Sequence, residues 1–582
     1  MNYTLSHYTK QESLWTSSKM LLGYLGKDRY KMIWAILIVL FNSAVAIVTP
    51  YLIGKATDDY IVNNNLAGLT SIIFSLIVLY LASLSTSYFQ MTLMGGVAQR
   101  MLYRLRQSIF NKLQSLPVAF FQANKAGDLT SRINNDTDKL NQFLSESIMR
   151  FLGNIFVIVG IGIFVLTIQL QLGLVMLAST LIIFILSKII EPMVSKANKV
   201  GAAATGNLSG QIQESLSNFK VIVAFNKRQY FTDKLAEFNQ DNYKGTIKAS
   251  IANSIYKPIY DSAGNIANAL ILLYGLYLIS QGTITIGILI AFLSFAQKFY
   301  GPLQIMGTII GNIQMAMASW QRITTILNLE NDLVIVPTQA NSTRTHQLMQ
   351  FDDVSFGYTA EKLVLKNISL SLLSGMTYAI VGPTGGGKST LASLMSRLYD
   401  PTSGTIYFKG QDIRSYPPEV LTASIGFILQ DPLLFTGTIG ENIRYGNLTL
   451  QNCDDEIVSK YITDAGMAAF LEKFPEGLAT VVSSENITLG QKQLIAFMRV
   501  ILRKPELLIL DEATANIDTV TEQLLNKLIE LLPKSTTKVI IAHRLNTIKA
   551  ADTIMFINNG QIEEAMDFDH ALHLLDHAKR VS

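Results

Sequence analysis

The sequence predicts two domains of different class in one chain: an all-α domain of six membrane-spanning helices with long cytoplasmic helical extensions, then an α/β domain built on a glycine-rich loop. Three observations predict this. Long charge-free apolar runs fill the first half of the chain and stop before residue 327. From residue 348 they give way to short β-type runs separated by helical patterns. Among those runs lies Gly382-Pro-Thr-Gly-Gly-Gly-Lys-Ser-Thr390, between an apolar strand and a helix. With 582 residues the chain is too long for one core, and 49% hydrophobic against 15% charged residues is a membrane composition.

The charge-free runs are Ile33 to Gly54, Tyr60 to Gln99, Phe151 to Ser187 and Ser262 to Gln297. A helix needs roughly 20 apolar residues to cross the hydrocarbon, so the first two runs hold one span each and the last two a pair each. Segment 1–31 is polar and mixed in charge, with no cleavable signal pattern; Trp15, Leu21, Leu22 and Leu25 read as lying on the membrane surface. Segment 32–326 is the six-span domain, 327–347, with Pro337, Asn341 and Ser342, a linker, and 348–582 the α/β domain.

Basic residues set the orientation. The connection after the first span, Asp58 to Asn65, carries none beyond Lys55 at its edge, and the turns near Gln169 and Gln281 carry none. Arg100, Arg104, Arg106, Lys112, Lys125, Arg132, Lys139 and Arg150 crowd one alternate connection, and Lys188, Lys196, Lys199, Lys220, Lys227, Arg228 and Lys234 the other. By the positive-inside rule these connections, both termini and the α/β domain face the cytoplasm of a multi-pass protein in the cell membrane. Each connection stays helical well past the membrane, the first broken near Leu116-Pro117 and Lys125-Ala-Gly127, the second with Phe219 to Phe225 near its tip. The single cysteine, Cys453, excludes an internal disulfide, and a dispersed net charge of +4 gives no argument for nucleic acid.

The glycine motif has a mechanism. Gly382, Pro383, Thr384, Gly385, Gly386, Gly387 and Thr390 form a turn whose backbone N–H groups converge on phosphate oxygens; Lys388 reaches the β and γ phosphates and Ser389 ligates Mg2+. A phosphate loop alone fits many NTPases, so its partners decide. The strand ending in Asp511 and Glu512 sets one acid to hold the metal shell and the next to orient and polarise a water. Tyr358 is placed to stack on adenine, a contact worth roughly 1–3 kcal/mol by analogy with other base–aromatic stacking. Gln430 ends another strand where it can touch Mg2+, His543 can hydrogen-bond a γ-phosphate, and Ala515, Asn516, Ile517 and Asp518 follow the acids at an expected dimer interface.

In order and spacing these motifs resemble the ATPase of ATP-binding-cassette (ABC) transporters, and with six spans ahead of them the chain resembles a half-transporter of the bacterial multidrug exporter class. Phe120 to Arg132, followed by Asn135-Asp136, is similar to the first cytoplasmic loop of such exporters. The resemblance covers essentially the whole length. It implies two ATP molecules sandwiched between paired ATPase domains, each closed by the partner's signature segment, and a cavity that alternates between inward and outward access. One motif departs. Where the family signature reads Leu-Ser-Gly-Gly-Gln, this chain reads Ile487, Thr488, Leu489, Gly490 and Gln491, and the segment Val481 to Asn486 ahead of it is about two residues shorter than the family's. Leu489 puts a branched side chain where helix-terminal backbone approaches the partner's phosphate. The implied reading is a heterodimer in which this chain hydrolyses its own ATP and lends its partner a degenerate signature. A homodimer with two weakened sites is the alternative.

What crosses the membrane is less legible, because polyspecific cavities are lined by residues that also pack helices. The expectation is a small amphiphilic molecule taken from the cytoplasm or inner leaflet; lipid or lipopeptide flipping, or an ATP-gated or regulatory membrane ATPase that pumps nothing, are the alternatives. One residue stands out on the substrate path. Lys298 lies about 12 residues into the last span, about 18 Å deep at 1.5 Å per residue. A cation there costs roughly 2.5–3.5 kcal/mol to insert, so it faces a wet cavity or a counter-charge.

Overall fold

The computed structural model describes residues 5, 23–329, 335–337, 347–359, 362–474, 476–482, 487–511, 519–541 and 548–581. They form two compact units. The first is helical: α1 (Arg29–Ala56), α2 (Leu66–Gln114), α4 (Ala126–Ile168), α5 (Leu170–Ser217), a short α6 (Phe219–Ala224), α7 (Arg228–Ser280) and α8 (Ile286–Leu327), while a short α3 (Val118–Ala123), between α2 and α4 in the chain, belongs to the second. Stretches of α1, α2, α4, α7 and α8 are long and apolar enough to cross a membrane, and α5 opens with the apolar stretch Leu170–Leu181. The breaks fall where the sequence placed them, at Pro117, between Asn124 and Lys125, and on either side of α6.

The core of the helical unit lies where α4, α5, α7 and α8 meet, around Ile161, Met176, Ala267, Phe292 and Phe295. Small residues set the approach of helices: an added Cβ on Gly275 of α7 would overlap Leu289 of α8, and one on Gly287 of α8 would overlap the Gly54 carbonyl of α1. Asp58 fastens that last contact by accepting the Gly287 N–H at 2.8 Å and the Thr285 hydroxyl. Along α4, two π-helical turns at Arg132–Asp136 and Phe143–Ser147 interrupt the α-helical ladder. The first carries the buried Asp136, which accepts from Arg322 Nε at 2.7 Å and Ser319 Oγ at 3.1 Å, both on α8. Arg132 donates to the Arg322 carbonyl at 3.0 Å.

Leu25 departs from its surface-lying expectation. It is buried against Val97 and Met101 of α2 and Leu144 of α4. The chain turns inward there because Asp28 is held by Arg100 and Arg104 from α2 and by Lys31. Trp15, Leu21 and Leu22 lie outside the described residues.

The second unit gathers Leu329–Ser582 with Gln114–Ala126, the tip of the first long connection. One sheet is antiparallel: β1 (Gln347–Phe356), β2 (Leu365–Leu373), β4 (Ser403–Phe408) and β5 (Gln411–Asp412) in the order β2-β1-β4-β5. The central sheet takes β3 (Thr377–Val381), β6 (Ile425–Ile428), β9 (Leu507–Asp511), β10 (Thr537–Ile541), β11 (Thr553–Asn558) and β12 (Gln561–Ala565) in the order β12-β11-β3-β10-β9-β6. Short β7 (Gly437–Thr438) and β8 (Val481–Val482) pair separately. Within the central sheet β11, β3, β10, β9 and β6 run parallel, so their C-terminal ends share one edge. Parallel strands buried on both faces read as solid apolar runs, which is why β3, β9 and β10 were legible. β2 begins at Leu365, after the chain has turned back through the Thr359–Lys362 bridge.

Candidate nucleotide site

The site forms at the shared strand edge, where crevices outside the carboxyl ends of parallel strands receive ligands. The central strand β3 ends at Val381, the glycine loop follows, and α9 (Lys388–Met395) begins. Gly382, Gly385 and Gly387 have φ of 155°, 82° and 113°, which suit glycine alone. Space is equally restrictive: a Cβ on Gly382 would overlap the Ile557 carbonyl, and one on Gly386 would lie 2.9 Å from it. On Gly387 it would meet Leu365 at 2.7 Å. The loop is thus pressed against β11 and β2, its backbone held in a cradle that side chains would fill.

Lys388 is buried, and its Nζ donates to the carbonyls of Gly382 at 2.8 Å and Pro383 at 2.9 Å, arching back over the loop. Beside it Ser389 Oγ donates to Asp511 Oδ1 at 3.4 Å, which brings together from positions far apart in the sequence the pair that the sequence motifs assign to Mg2+. Asp511 ends β9 and pairs in register with Ile541 of β10, while Leu510 pairs with Ile428 of β6. Gln430, exposed two residues beyond Ile428, leaves the sheet at the same edge. Glu512, His543 and the segment Ala515, Asn516, Ile517 and Asp518 lie outside the described residues.

Tyr358 sits just past β1, half-exposed, with its hydroxyl 3.0 Å from Thr390 Oγ1 at the end of the glycine motif. Its ring meets Phe356 and Tyr399 edge-on, with centroids 5.1 and 5.3 Å apart. Sequence reasoning missed Tyr399. Burial pushes its phenol up to about 12, so it stays protonated and donates to Gln122 of α3 at 2.5 Å. Only the fold brings Gln122 beside Tyr399, and no local pattern announced it.

The signature segment occupies the start of α10 (Leu489–Ile501). Thr488 is its N-cap: the hydroxyl accepts from Gln491 N at 3.2 Å and Gln491 Oε1 accepts from Thr488 N at 3.0 Å, a capping box. Leu489, the first helical residue, is 38% exposed, while Gly490 is buried and Ile487 packs on the core beneath. Val481 and Val482 form β8; residues 483–486 of the shortened segment lie outside the described residues. Farther along α10, Arg499 donates to the Leu433 carbonyl at 3.1 Å and to Asn442 O and Oδ1, both at 2.9 Å. It ties the stretch after Gln430 to the signature helix.

The geometry fits a nucleoside triphosphate, with a glycine cradle, a buried ammonium and a hydroxyl–carboxylate pair converging at one strand edge. Comparison with known proteins agrees. The family described as ABC transporter transmembrane region matches residues 32–303, and the one described as ABC transporter matches residues 365–515. An uncharacterised ABC transporter ATP-binding protein of Bacillus subtilis is 33% identical over 558 residues, 94% of this chain and 91% of that one. An ATP-dependent lipid A-core flippase of Syntrophus aciditrophicus is 31% identical over 533 residues, 91% and 88% of the two chains. A multidrug resistance ABC transporter ATP-binding and permease protein of Lactococcus lactis is 31% identical over 492 residues, 84% and 82%. The chain belongs to the ABC transporter family: it is an exporter-type half-transporter that binds ATP and couples its hydrolysis to transport.

Proposed function

We propose that this chain is the hydrolysing half of a heterodimeric exporter that drives small amphiphilic molecules out of the cytoplasm or inner leaflet. The observation that carries the hydrolytic role is the convergence of Lys388, Ser389 and Asp511 at one strand edge. Ser389, Gln430 and Asp511 would hold Mg2+, which supplies charge neutralisation at the β and γ phosphates. The loop amides from Gly382 to Thr390 and the Lys388 ammonium bind the phosphates, Tyr358 stacks on adenine, Glu512 orients the attacking water and His543 hydrogen-bonds the γ-phosphate. Ala515, Asn516, Ile517 and Asp518 face the partner ATPase domain.

The heterodimer rests on Leu489. Its exposed side chain stands at the helix terminus that the family turns toward the partner's phosphate. Basic residues on the alternate connections support placing the ATPase domain and both termini in the cytoplasm and the spans in the cell membrane. Lipid flipping is the second reading, favoured by the lipid A-core flippase among the relatives. A non-pumping gate is disfavoured by Glu512, since a gate needs binding alone. Sealed inside-out vesicles carrying the chain and the half-transporter that co-purifies with it test the reading. Wild type is expected to take up an amphiphile against its gradient only with ATP, and Glu512→Gln to bind ATP while turnover falls at least tenfold, about 1.4 kcal/mol of barrier. Undiminished turnover in Glu512→Gln sinks the assignment.

A further inference from the structure

We propose that the last span carries a binding site for an acidic head group, centred on Lys298, and that the exporter's preferred cargo is therefore an anionic amphiphile, a carboxylate or phosphate on an apolar tail. The proposal rests on the exporter reading above and names its substrate class. Lys298 is half-buried on α8, and no described residue supplies its ammonium with a hydrogen bond or ion pair. The natural candidate, Asp261, is on the wrong level. Gly275 of α7 faces Leu289 and Gly264 faces Tyr300, which sets Ile266 opposite Lys298 and leaves Asp261 about 7.5 Å farther along α7 at 1.5 Å per residue. Asp261 is itself exposed.

The helix around Lys298 is also open to a ligand. Pro302 stands one turn on and has no N–H, so the Lys298 carbonyl lacks its helical donor. At helical spacing Lys298 shares a stripe with Ser294, Gly301 and Ile305, and a Cβ on Gly301 would meet nothing within 4 Å. The adjoining stripe of Phe292, Phe295 and Phe299 is packed into the helical core. A polar floor with room above it thus interrupts an apolar surface. Near this level the Asn268 Oδ1 of α7 is buried without a donor among the described residues.

A lone ammonium in such surroundings persists only where a counter-charge or water reaches it. The described residues of this chain bring no counter-charge, an acidic cargo would supply one in place of water, and the exposed Ile305, Ile266 and Leu270 suit its tail.

The test is competition binding to the full chain, with its co-purifying half-transporter, in nanodiscs of zwitterionic lipid. The probes are dodecanoate, dodecyl phosphate and dodecyltrimethylammonium. Lys298→Ala is expected to weaken dodecanoate, dodecyl phosphate or both at least tenfold and the ammonium less than twofold; which acid loses more identifies the head group. Lys298→Arg is expected to retain acid binding, which separates charge from fold, and Lys298→Glu to favour the ammonium. Equal losses for all three probes in Lys298→Ala, or wild type binding neither acid, overturn the proposal. ATP-driven uptake in sealed vesicles is read separately: its absence for every amphiphile removes the exporter reading, whereas uptake without charge discrimination removes this inference alone.

Discussion

Two regions of the ATPase unit touch nucleotide in this family, and they are built to different tolerances here. The loop from Gly382 to Thr390 is tightly constrained: three glycines at positive φ, two of them without room for a Cβ, and a lysine arched over the turn. The segment from Ile487 to Gln491 keeps its helix start, with Thr488 capping in place of serine, and yet puts an exposed leucine at the first helical position. Capping needs only a hydroxyl and one backbone geometry, so threonine serves. Approach to a phosphate needs bare backbone, so leucine does not. On the proposed heterodimer reading, the two duties of a signature segment, starting a helix and closing a site, are separable, and this chain keeps the first.

The largest effect is expected on the strict side. Gly382→Ala forces a Cβ into the Ile557 carbonyl at a φ that alanine avoids, so ATP affinity is expected to fall at least tenfold, about 1.4 kcal/mol. Leu489→Ala in the same chain is expected to leave this chain's own ATP affinity within twofold. Titration of a fluorescent nucleotide into both variants decides, and comparable losses would erase the contrast.

A smaller effect is expected on the tolerant side. In an assembly with its partner, Thr488→Ser combined with Leu489→Gly is expected to raise phosphate release about threefold, near 0.65 kcal/mol of barrier. The gain is to be read in a Glu512→Gln background, so that what remains comes from the partner's site, and it is expected only with a partner that keeps its own catalytic acid. An unchanged rate would show that something other than Leu489 limits that site.

How much of this was legible follows from the range of each interaction. The loop, the strands β3, β9 and β10 and the breaks at Pro117 and Lys125 are local, and short-range residue types declare them. The edge strand β12 was not foreseen, because Gln561, Glu563 and Glu564 leave only Ile562 and Ala565 apolar. The two-residue strands β5, β7 and β8 are too short for any period. Pairs such as Tyr399 with Gln122, or Asp136 with Arg322, join residues separated by 277 and 186 positions, and nothing near either member names the other. The fold alone brings them together.

The smallest effect sharpens the comparison most, because it isolates capping from site closure. Thr488 holds the first turn of α10 through three hydrogen bonds with Gln491, and Thr488→Ala removes the two its hydroxyl makes, one accepted from the Gln491 amide and one donated to Gln491 Oε1. Loss of an N-cap costs about 1 kcal/mol. Most of α10 does not depend on it, since Leu494, Phe497, Met498 and Ile501 are buried in the core whatever the cap. The expected result is therefore local: faster hydrogen exchange at the Gln491 amide, roughly fivefold for about 1 kcal/mol of opening free energy, with the exchange of Met498 unchanged. Thr488→Ser keeps the hydroxyl and is expected to exchange as wild type. If Thr488→Ala speeds exchange along the whole helix, the cap supports more than its own turn and the two duties of the segment are not separable after all.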